Sequence, residues 1–336
     1  MSSTYVHNIK ARPPSHSCKI YPKAQLKTID SKRWSDTRIS SSSKSKFGFY
    51  SKNYLRCPEE AGKNVNIFII DTGFKYNEAE SFLHPVETVD FTDTGTFDNL
   101  NHGTNIAALV AGFNYGIAKQ SKLYALKIVN EPILKNSRLF AAFEWVIEKT
   151  KASKHKSVIN LSASLFNVKE GSPSALRLEQ LVRQCNELGI TIVNPAGNAG
   201  VLCQDYLSGI DGVITVGSVG QNNAMSVFSN YGSLVDILAP GEEISVPIAE
   251  NKFFYGKTVE GTSYSTAIIT GIVAVYLSVG IPPERILKTL QESGTKVEMD
   301  DDIRRGSTDI IANIVPNCYD IKSSDAEEIS DLHLIH

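Results

Sequence analysis

Short, largely apolar runs constrain the fold of this chain more than any other feature. Five such runs occur, at Val65–Ile70, Leu123–Ile128, Val158–Leu161, Ile190–Val193 and Val213–Val216. Continuous apolarity rich in β-branched residues is typical of strands that are buried on both faces, and such strands belong to parallel sheets. We therefore predict a parallel sheet at the centre of the molecule.

Amphipathic segments separate these runs, as parallel pairing requires. Ser137–Lys149 and Ser174–Leu188 have helical periodicity, and Gly189 follows the second as a C-terminal cap. Strands that alternate with helices indicate βαβ units with right-handed crossovers. The sequence predicts an α/β fold, with one three-layer domain over residues 28–315 whose mainly parallel sheet is flanked by helices.

The two ends of the chain differ in charge. Residues 1–60 carry 12 Lys and Arg against 4 Asp and Glu, whereas residues 298–336 carry 10 acidic against 3 basic residues. We interpret residues 1–27 as a flexible basic arm and residues 316–336 as an acidic tail. The formal net charge of −2 argues against nucleic acid as an obligatory partner.

Neither a membrane span nor a signal peptide is evident in the sequence. No run of about 18 apolar residues occurs, so we expect no membrane partner. The first 27 residues lack the apolar stretch of a signal peptide. The five cysteines are irregularly spaced, which excludes a zinc ribbon. Spacing alone neither supports nor excludes a Cys57–Cys203 disulfide. We expect Cys185 to be a buried thiol. The cysteines do not indicate a cellular compartment.

Three short motifs supply an acid, an imidazole and a hydroxyl. Asp71 directly follows an apolar strand, His102 begins a helix-like stretch of small residues, and Ser263 precedes a long apolar helix through Leu277. Each of these residues also has a purely structural explanation when taken alone. Asp71 can be a turn former, His102 a structural histidine and Ser263 a helix N-cap. Together they are the parts of a nucleophilic relay, and Asp, then His, then Ser is the order found in subtilisin.

A fourth feature fits the same chemistry. Ala196-Gly197-Asn198 places an amide in a glycine-flanked turn after the strand Ile190–Val193. An acyl-transfer site needs hydrogen-bond donors for the oxyanion, and a side-chain amide can supply one of them. We therefore predict that Asn198 acts with the three motifs.

Longer segments carry a family resemblance. They are Trp34–Ser40, Val158–Ser162, Phe228–Gly232 and Asp236–Gly241. With the motifs above, the chain resembles the subtilisin-like serine proteases (subtilases), and most of all their fungal proteinase K-like branch, over about residues 34–315. The resemblance implies a serine endopeptidase with the triad Asp71, His102 and Ser263, and with Asn198 completing the oxyanion hole.

The resemblance also implies a groove that binds a protein or peptide substrate. Its residues would be Leu161, Ser162, Ala163, Ser164 and Gly197. The family is typically secreted or vacuolar, and we expect a monomer without a resident cofactor. Asp236 matches a position that some relatives use for calcium, but one carboxylate falls far short of the six to eight oxygens that calcium takes. The sequence therefore does not decide whether the protein binds calcium.

Several positions depart from the family pattern. Asn105 stands where the family usually has a second His, and Tyr264 replaces the usual Met after the nucleophile. Ala163-Ser164 replaces a Leu-Gly pair, and Glu131–Asn136 replaces a glycine-rich loop. Because glycines let a substrate backbone come close, these changes support an alternative: a catalytically weak or inactive homologue that binds peptides or has a regulatory role.

Overall fold

The computed structural model describes residues 26–31, 33–40, 53–76, 80–130, 134–162, 168–247, 257–299 and 306–314. The strands of this part are β1 Leu26–Ser31, β2 Asn53–Pro58, β3 Val65–Asp71, β4 Glu87–Asp90, β5 Lys122–Lys127, β6 Lys156–Leu161, β7 Ile190–Pro195, β8 Val213–Val219, β9 Ile237–Pro240, β10 Ile244–Val246, β11 Lys257–Val259, β12 Thr295–Lys296 and β13 Ile310–Ile311. The α-helices are α1 Trp34–Ser40, α2 His102–Ala111, α3 Asn136–Lys151, α4 Pro173–Glu187, α5 Thr262–Ser278 and α6 Ile286–Ser293.

A nine-stranded sheet forms the centre of the fold. Its order is β12-β13-β9-β8-β7-β6-β3-β5-β4, and every neighbouring pair is parallel except β12 with β13. Each of the five apolar runs forms a strand of this sheet within a few residues of its predicted bounds. The predicted parallel sheet is therefore confirmed.

The sheet is covered on both faces, because its central strand β3 is apolar on both. Ile67 and Ile69 belong to the same core cluster as the apolar residues of α2, α5 and α6. Phe68 and Ile70 belong to the cluster formed with α3 and α4. The two clusters lie on opposite sides of the sheet, since successive side chains of a strand point to opposite faces. The result is the predicted three-layer α/β arrangement.

Helix α5 runs through the larger core. Every residue from Thr262 to Leu277 is buried, as expected for a helix that is apolar on nearly all sides. Gly261 is its N-cap residue, so Ser263 is the second residue of the helix and not its cap. The capping explanation of Ser263 is therefore excluded by the position of the helix start.

The two predicted ends lie almost entirely outside the described residues. Strand β1 begins at Leu26, inside the predicted arm, and pairs antiparallel with β2. The acidic tail 316–336 lies wholly outside. Within the described part, no helix has the length and apolarity to cross a bilayer. Cys185 and Cys203 are buried free thiols, so Cys203 forms no bridge with the buried Cys57.

Candidate active site

Asp71 and His102 are in direct contact. Asp71 is the last residue of β3, its side chain is 2% exposed, and its Oδ1 accepts the N–H of Thr72 at 2.7 Å. Nδ1 of His102 lies 2.8 Å from Oδ1 and 3.0 Å from Oδ2 of this carboxylate. A carboxylate at Nδ1 keeps the proton on that nitrogen, which leaves Nε2 of the neutral imidazole as a proton acceptor.

Gly103 allows this contact. A Cβ atom at Gly103 would lie 2.4 Å from the carbonyl oxygen of Gly73 and 3.2 Å from both Cβ and Oδ1 of Asp71. Any side chain at this position would push the first turn of α2 away from the end of β3. The small residue after His102 is therefore required by the close approach of two backbone segments.

A second carboxylate, that of Asp98, lies behind this pair. Asp98 is fully buried, and its Oδ1 accepts the Thr72 hydroxyl at 2.8 Å and the Leu100 N–H at 3.0 Å. Its Oδ2 accepts the N–H and the hydroxyl of Thr104 at 2.9 and 2.7 Å. These four bonds satisfy the buried charge and fix the start of α2 against the segment that follows Asp71.

The pKa of His102 is raised above its ordinary value of 6.5. Burial by itself would lower this pKa, because it disfavours the imidazolium. The negative charge of Asp71, its hydrogen bond to the ring and the charge of Asp98 together outweigh burial. The site thus favours the charged form that an imidazole takes after it has accepted a proton.

Ser263 lies in the first turn of α5, after a glycine with a rare backbone conformation and a buried threonine. Gly261 has a φ of 144°, which L side chains rarely adopt, and Thr262 is fully buried. The N–H of Thr262 donates to Asn198 Oδ1, and the N–H of Tyr264 donates to the Gly261 carbonyl. Within the described part of the chain, the N–H of Ser263 has no acceptor. It is an unoccupied donor at the positive end of a helix dipole.

The Asn198 amide is oriented by Thr262. Asn198 Oδ1 accepts the N–H and the hydroxyl of Thr262 at 2.8 and 2.9 Å. The Thr262 hydroxyl in turn accepts the N–H of Gly197 at 3.2 Å. Because the amide oxygen is occupied, the NH₂ group is the end left for a further partner. Asn198 itself is exposed, so this donor is accessible from solvent.

Tyr264 lies on the same helix as Ser263 and has its ring beside that of His102. Its ring centroid lies 5.6 Å from that of His102, and it directly follows Ser263 in α5. Among the described residues, no hydrogen bond joins His102 to Ser263. The structure thus places Asp71 against His102, and Asn198 against Thr262, the first residue of the helix that carries Ser263. The Tyr264 ring on that helix lies beside the His102 ring.

Comparison with known proteins identifies the family. The sequence pattern described as Peptidase_S8, Subtilase family, matches residues 62–297. The chain belongs to the subtilase family. The match includes every residue of the candidate site.

Relatives of this subtilase carry protease names. This chain is 33% identical over 255 residues to the subtilase-type proteinase RRT12 of Saccharomyces cerevisiae. The match covers 73% of this chain and 50% of that protein. The chain is 29% identical over 290 residues to the alkaline extracellular protease of Yarrowia lipolytica, covering 82% of this chain and 62% of that protein. The chain therefore spans less than two thirds of the length of these curated relatives.

A solved structure supports the fold of the subtilase. The crystal structure of a cold adapted subtilisin-like serine proteinase superposes with a TM-score of 0.69 and 24% sequence identity. The superposition covers 86% of this chain and 100% of the other. At this level of identity the comparison bears on the fold, which is subtilisin-like.

The predicted groove residues are only partly described. Leu161 ends β6 and its side chain is fully buried, so only its backbone could face a peptide. Ser162 is half-buried, and its hydroxyl accepts from the Asn160 amide at 2.8 Å. Gly197 has a φ of 104°, and a Cβ there would lie 2.4 Å from Asn230 Nδ2. Ala163 and Ser164 lie outside the described residues.

Asp236, the position that the resemblance links to calcium, is half-buried. Its Oδ2 accepts the N–H of Thr215 at 2.8 Å, and burial raises the pKa of its carboxyl. No group of three or more His, Cys, Asp or Glu residues that could hold a metal occurs in the described ranges. Calcium binding at Asp236 therefore stays a prediction.

Sequence reasoning missed three residues of the site, namely Thr72, Asp98 and Thr262. Two of them lie inside motifs that were recognised, Asp71-Thr72-Gly73 and Gly261-Thr262-Ser263, so their hydroxyls could have been considered. Asp98 carries a weaker signal, because an acid four residues before His102 in a polar segment resembles an ordinary loop residue. Its burial becomes apparent only in the folded structure.

Proposed function

We propose that this subtilase is a serine endopeptidase that acts through Asp71, His102 and Ser263. The substrate would be a protein or an extended peptide, and the reaction would be acyl transfer to water. The observation that carries the proposal is the pair of free donors at the start of α5, the Ser263 N–H and the amide nitrogen of Asn198, close to a carboxylate–imidazole pair.

The first step forms an acyl-enzyme. The Ser263 hydroxyl attacks the scissile carbonyl carbon while Nε2 of His102 accepts its proton. Asp71 holds the imidazole through Nδ1 and stabilises the imidazolium. When the tetrahedral intermediate collapses, the C–N bond breaks and His102 returns the proton to the leaving amine.

The negative oxygen of that intermediate needs preorganised donors. The Ser263 N–H and the Asn198 NH₂ group would supply two, and the Asn198 amide is already oriented by Thr262. Removing one such donor in subtilisin costs about 10²–10³-fold in kcat. The second step repeats the proton transfers with water as the nucleophile, releases the carboxylic acid and restores the Ser263 hydroxyl.

The substrate would bind as an added β-strand beside the residues that follow β6. Main-chain hydrogen bonds supply most of the affinity in this mode of recognition. Leu161 and Ser162 would contribute backbone groups, with Ala163, Ser164 and Gly197 as further candidates. Ser164 stands where the family has a glycine, so we expect Ser164→Gly to raise kcat/KM more for long peptides than for short esters.

Active-site titration with a fluorophosphonate tests the proposal. We expect stoichiometric labelling of the purified chain at Ser263 and cleavage of casein. Ser263→Ala should abolish both. Ser278→Ala is a matched control, because it removes another α5 hydroxyl far along the helix. Folded protein that is neither labelled nor active on casein would refute the proposal.

The alternative is a homologue that binds peptides with little or no turnover. The observation in its favour is that no hydrogen bond joins His102 to Ser263 within the described residues. Catalytic hydrogen bonds are often long in enzymes without substrate, so this observation does not decide between the two. Tight peptide binding without labelling or cleavage would support the alternative, and robust casein turnover would eliminate it.

A further inference from the structure

Asn160 is a polar side chain on the face of the sheet that packs against α5. It lies in β6, it is fully buried, and its partners on the neighbouring strands are Ile69 and Val193. Both of these apolar residues belong to the larger core cluster, which also contains the apolar residues of α5. A buried amide costs free energy unless its groups are hydrogen-bonded. The hydrogen bonds of Asn160 therefore matter to this part of the core.

Two hydrogen bonds connect the Asn160 amide to two different segments. Its Oδ1 accepts the Thr270 hydroxyl at 2.9 Å, and its Nδ2 donates to Ser162 Oγ at 2.8 Å. Thr270 is fully buried on α5, whereas Ser162 is half-buried and directly follows β6. The amide therefore forms a continuous polar connection from the helix that carries Ser263 to the residue at the end of β6.

This connection joins the candidate nucleophile to the predicted substrate groove. Ser263 and Thr270 are seven residues apart on α5, which is about two helical turns or about 10 Å, so they lie on the same face of the helix. Ser162 is one of the groove residues that would contact an extended peptide. Because Ser263 and Thr270 belong to one buried helix, the bond from Thr270 to Asn160 fixes Ser162 relative to Ser263.

We propose that Asn160 and Thr270 are positioning residues that hold the groove edge at Ser162 in register with Ser263. This inference rests on the proposed function. A peptide bound along this edge must present its scissile carbonyl to Ser263 Oγ, and a misplacement of about 1 Å can cost about 10²-fold in rate. A short substrate that does not extend along the edge depends much less on its position.

Removal of the Thr270 hydroxyl tests the proposal. Thr270→Val keeps the shape of the side chain but loses the donor to Asn160. Thr266→Val is the matched control, because Thr266 is also fully buried on α5 and its hydroxyl donates to the Thr262 carbonyl of the same helix. For each variant we would measure Tm, the rate of fluorophosphonate labelling, and kcat/KM for succinyl-hexa-alanine p-nitroanilide and for acetyl-alanine methyl ester.

We expect Thr270→Val to reduce kcat/KM for the long peptide about tenfold. The ester and the labelling rate should stay within about twofold of the wild type, because neither small molecule extends along the groove edge. Thr266→Val should lower Tm without a selective loss on the peptide. A wild-type kcat/KM for the peptide in Thr270→Val, equal losses on peptide and ester, or the same selective loss in Thr266→Val would overturn the proposal.

A double variant tests the route through Ser162. Ser162→Ala removes the hydroxyl that accepts from Asn160. If Thr270 acts on the peptide through this hydroxyl, adding Thr270→Val to Ser162→Ala should cause no further loss in kcat/KM. Fully additive losses would mean that Thr270 does not act through Ser162, and the positioning role would be refuted.

A measurement without substrate separates this proposal from the proposed function. Exchange of the Ser162 backbone amide with solvent, followed by NMR, does not depend on catalysis. We expect faster exchange in Thr270→Val than in the wild type and in Thr266→Val. If the wild-type protein is neither labelled nor active, the proposed function fails and this measurement alone decides whether Thr270 holds the edge at Ser162. Equal exchange in all three proteins would refute that role.

Discussion

Asp98 and Thr104 are joined by two hydrogen bonds, from the Thr104 N–H at 2.9 Å and from its hydroxyl at 2.7 Å, both to Asp98 Oδ2. The same carboxylate accepts the Thr72 hydroxyl through Oδ1. Asp98 therefore anchors the first turn of α2 to the residue after Asp71. A fully buried carboxylate supports the His102–Asp71 pair both structurally and through its charge.

The first prediction concerns pH. Because a general base must be neutral, labelling of Ser263 should increase as pH rises through the pKa of His102, with a midpoint above 6.5. The charge of Asp98 contributes to the raised pKa, so Asp98→Asn should move the midpoint to lower pH. The labelling rate measured between pH 5 and 9 checks this.

The control for this experiment is Asp236→Asn. Asp236 is a half-buried acid whose partner is the Thr215 N–H, and it does not contribute to the pKa of His102. Its midpoint should match that of the wild type. A midpoint that does not move in Asp98→Asn would contradict the electrostatic role of Asp98.

The second prediction concerns Gly103. A methyl group at this position would lie 2.4 Å from the Gly73 carbonyl oxygen, which is backbone and cannot rotate away. We expect Gly103→Ala to displace the start of α2, to lower the free energy of unfolding by about 1–3 kcal/mol and to slow labelling of Ser263 strongly. Urea denaturation and the fluorophosphonate rate are the two measurements.

Gly209→Ala is the matched control for Gly103→Ala. A Cβ atom at Gly209 would meet nothing within 4 Å. Its unfolding free energy and labelling rate should stay close to those of the wild type. If the two alanine variants behaved alike, the close approach at Gly103 would not matter to the site.

The centre of the fold could be predicted from the sequence because its strands carry an unambiguous signal. Val65–Ile70 has no polar alternation, and only a strand covered on both faces buries such a run. The strand β1 and the helix α1 were not predicted, since Leu26–Ser31 and Trp34–Ser40 are short and largely polar. Their structure depends on tertiary contacts, which local periodicity does not reveal.

The candidate site could be proposed from the sequence only in part. Asp71, His102, Asn198 and Ser263 were proposed as site residues because each stands in a short motif of small residues. The supporting contacts were not, because they join segments that are distant in sequence. Tyr264 was seen only as a departure from the family pattern, and nothing in the sequence shows that its ring lies beside that of His102.

The third prediction concerns Cys185. The thiol is fully buried on α4, and burial raises its pKa to about 12. Because the thiolate is the reactive form, Cys185 should remain unmodified by iodoacetamide in the native protein at pH 8.5. Peptide mapping by mass spectrometry, with and without denaturant, checks this. Modification of the native protein would show that α4 opens readily.

The last prediction concerns Thr262, which orients the Asn198 amide. Thr262→Val keeps the shape of the side chain but removes the hydroxyl that donates to Asn198 and accepts the Gly197 N–H. We expect labelling of Ser263 to slow about tenfold, and the free energy of unfolding to fall by about 1–3 kcal/mol because the Gly197 donor is left buried and unpaired. Thr266→Val is the matched control, since its hydroxyl donates to the Thr262 carbonyl one turn earlier and contacts no group of the site among the described residues. It should lose stability without slowing the labelling. Equal rates in the two variants would mean that the Asn198 amide keeps its orientation without the Thr262 hydroxyl.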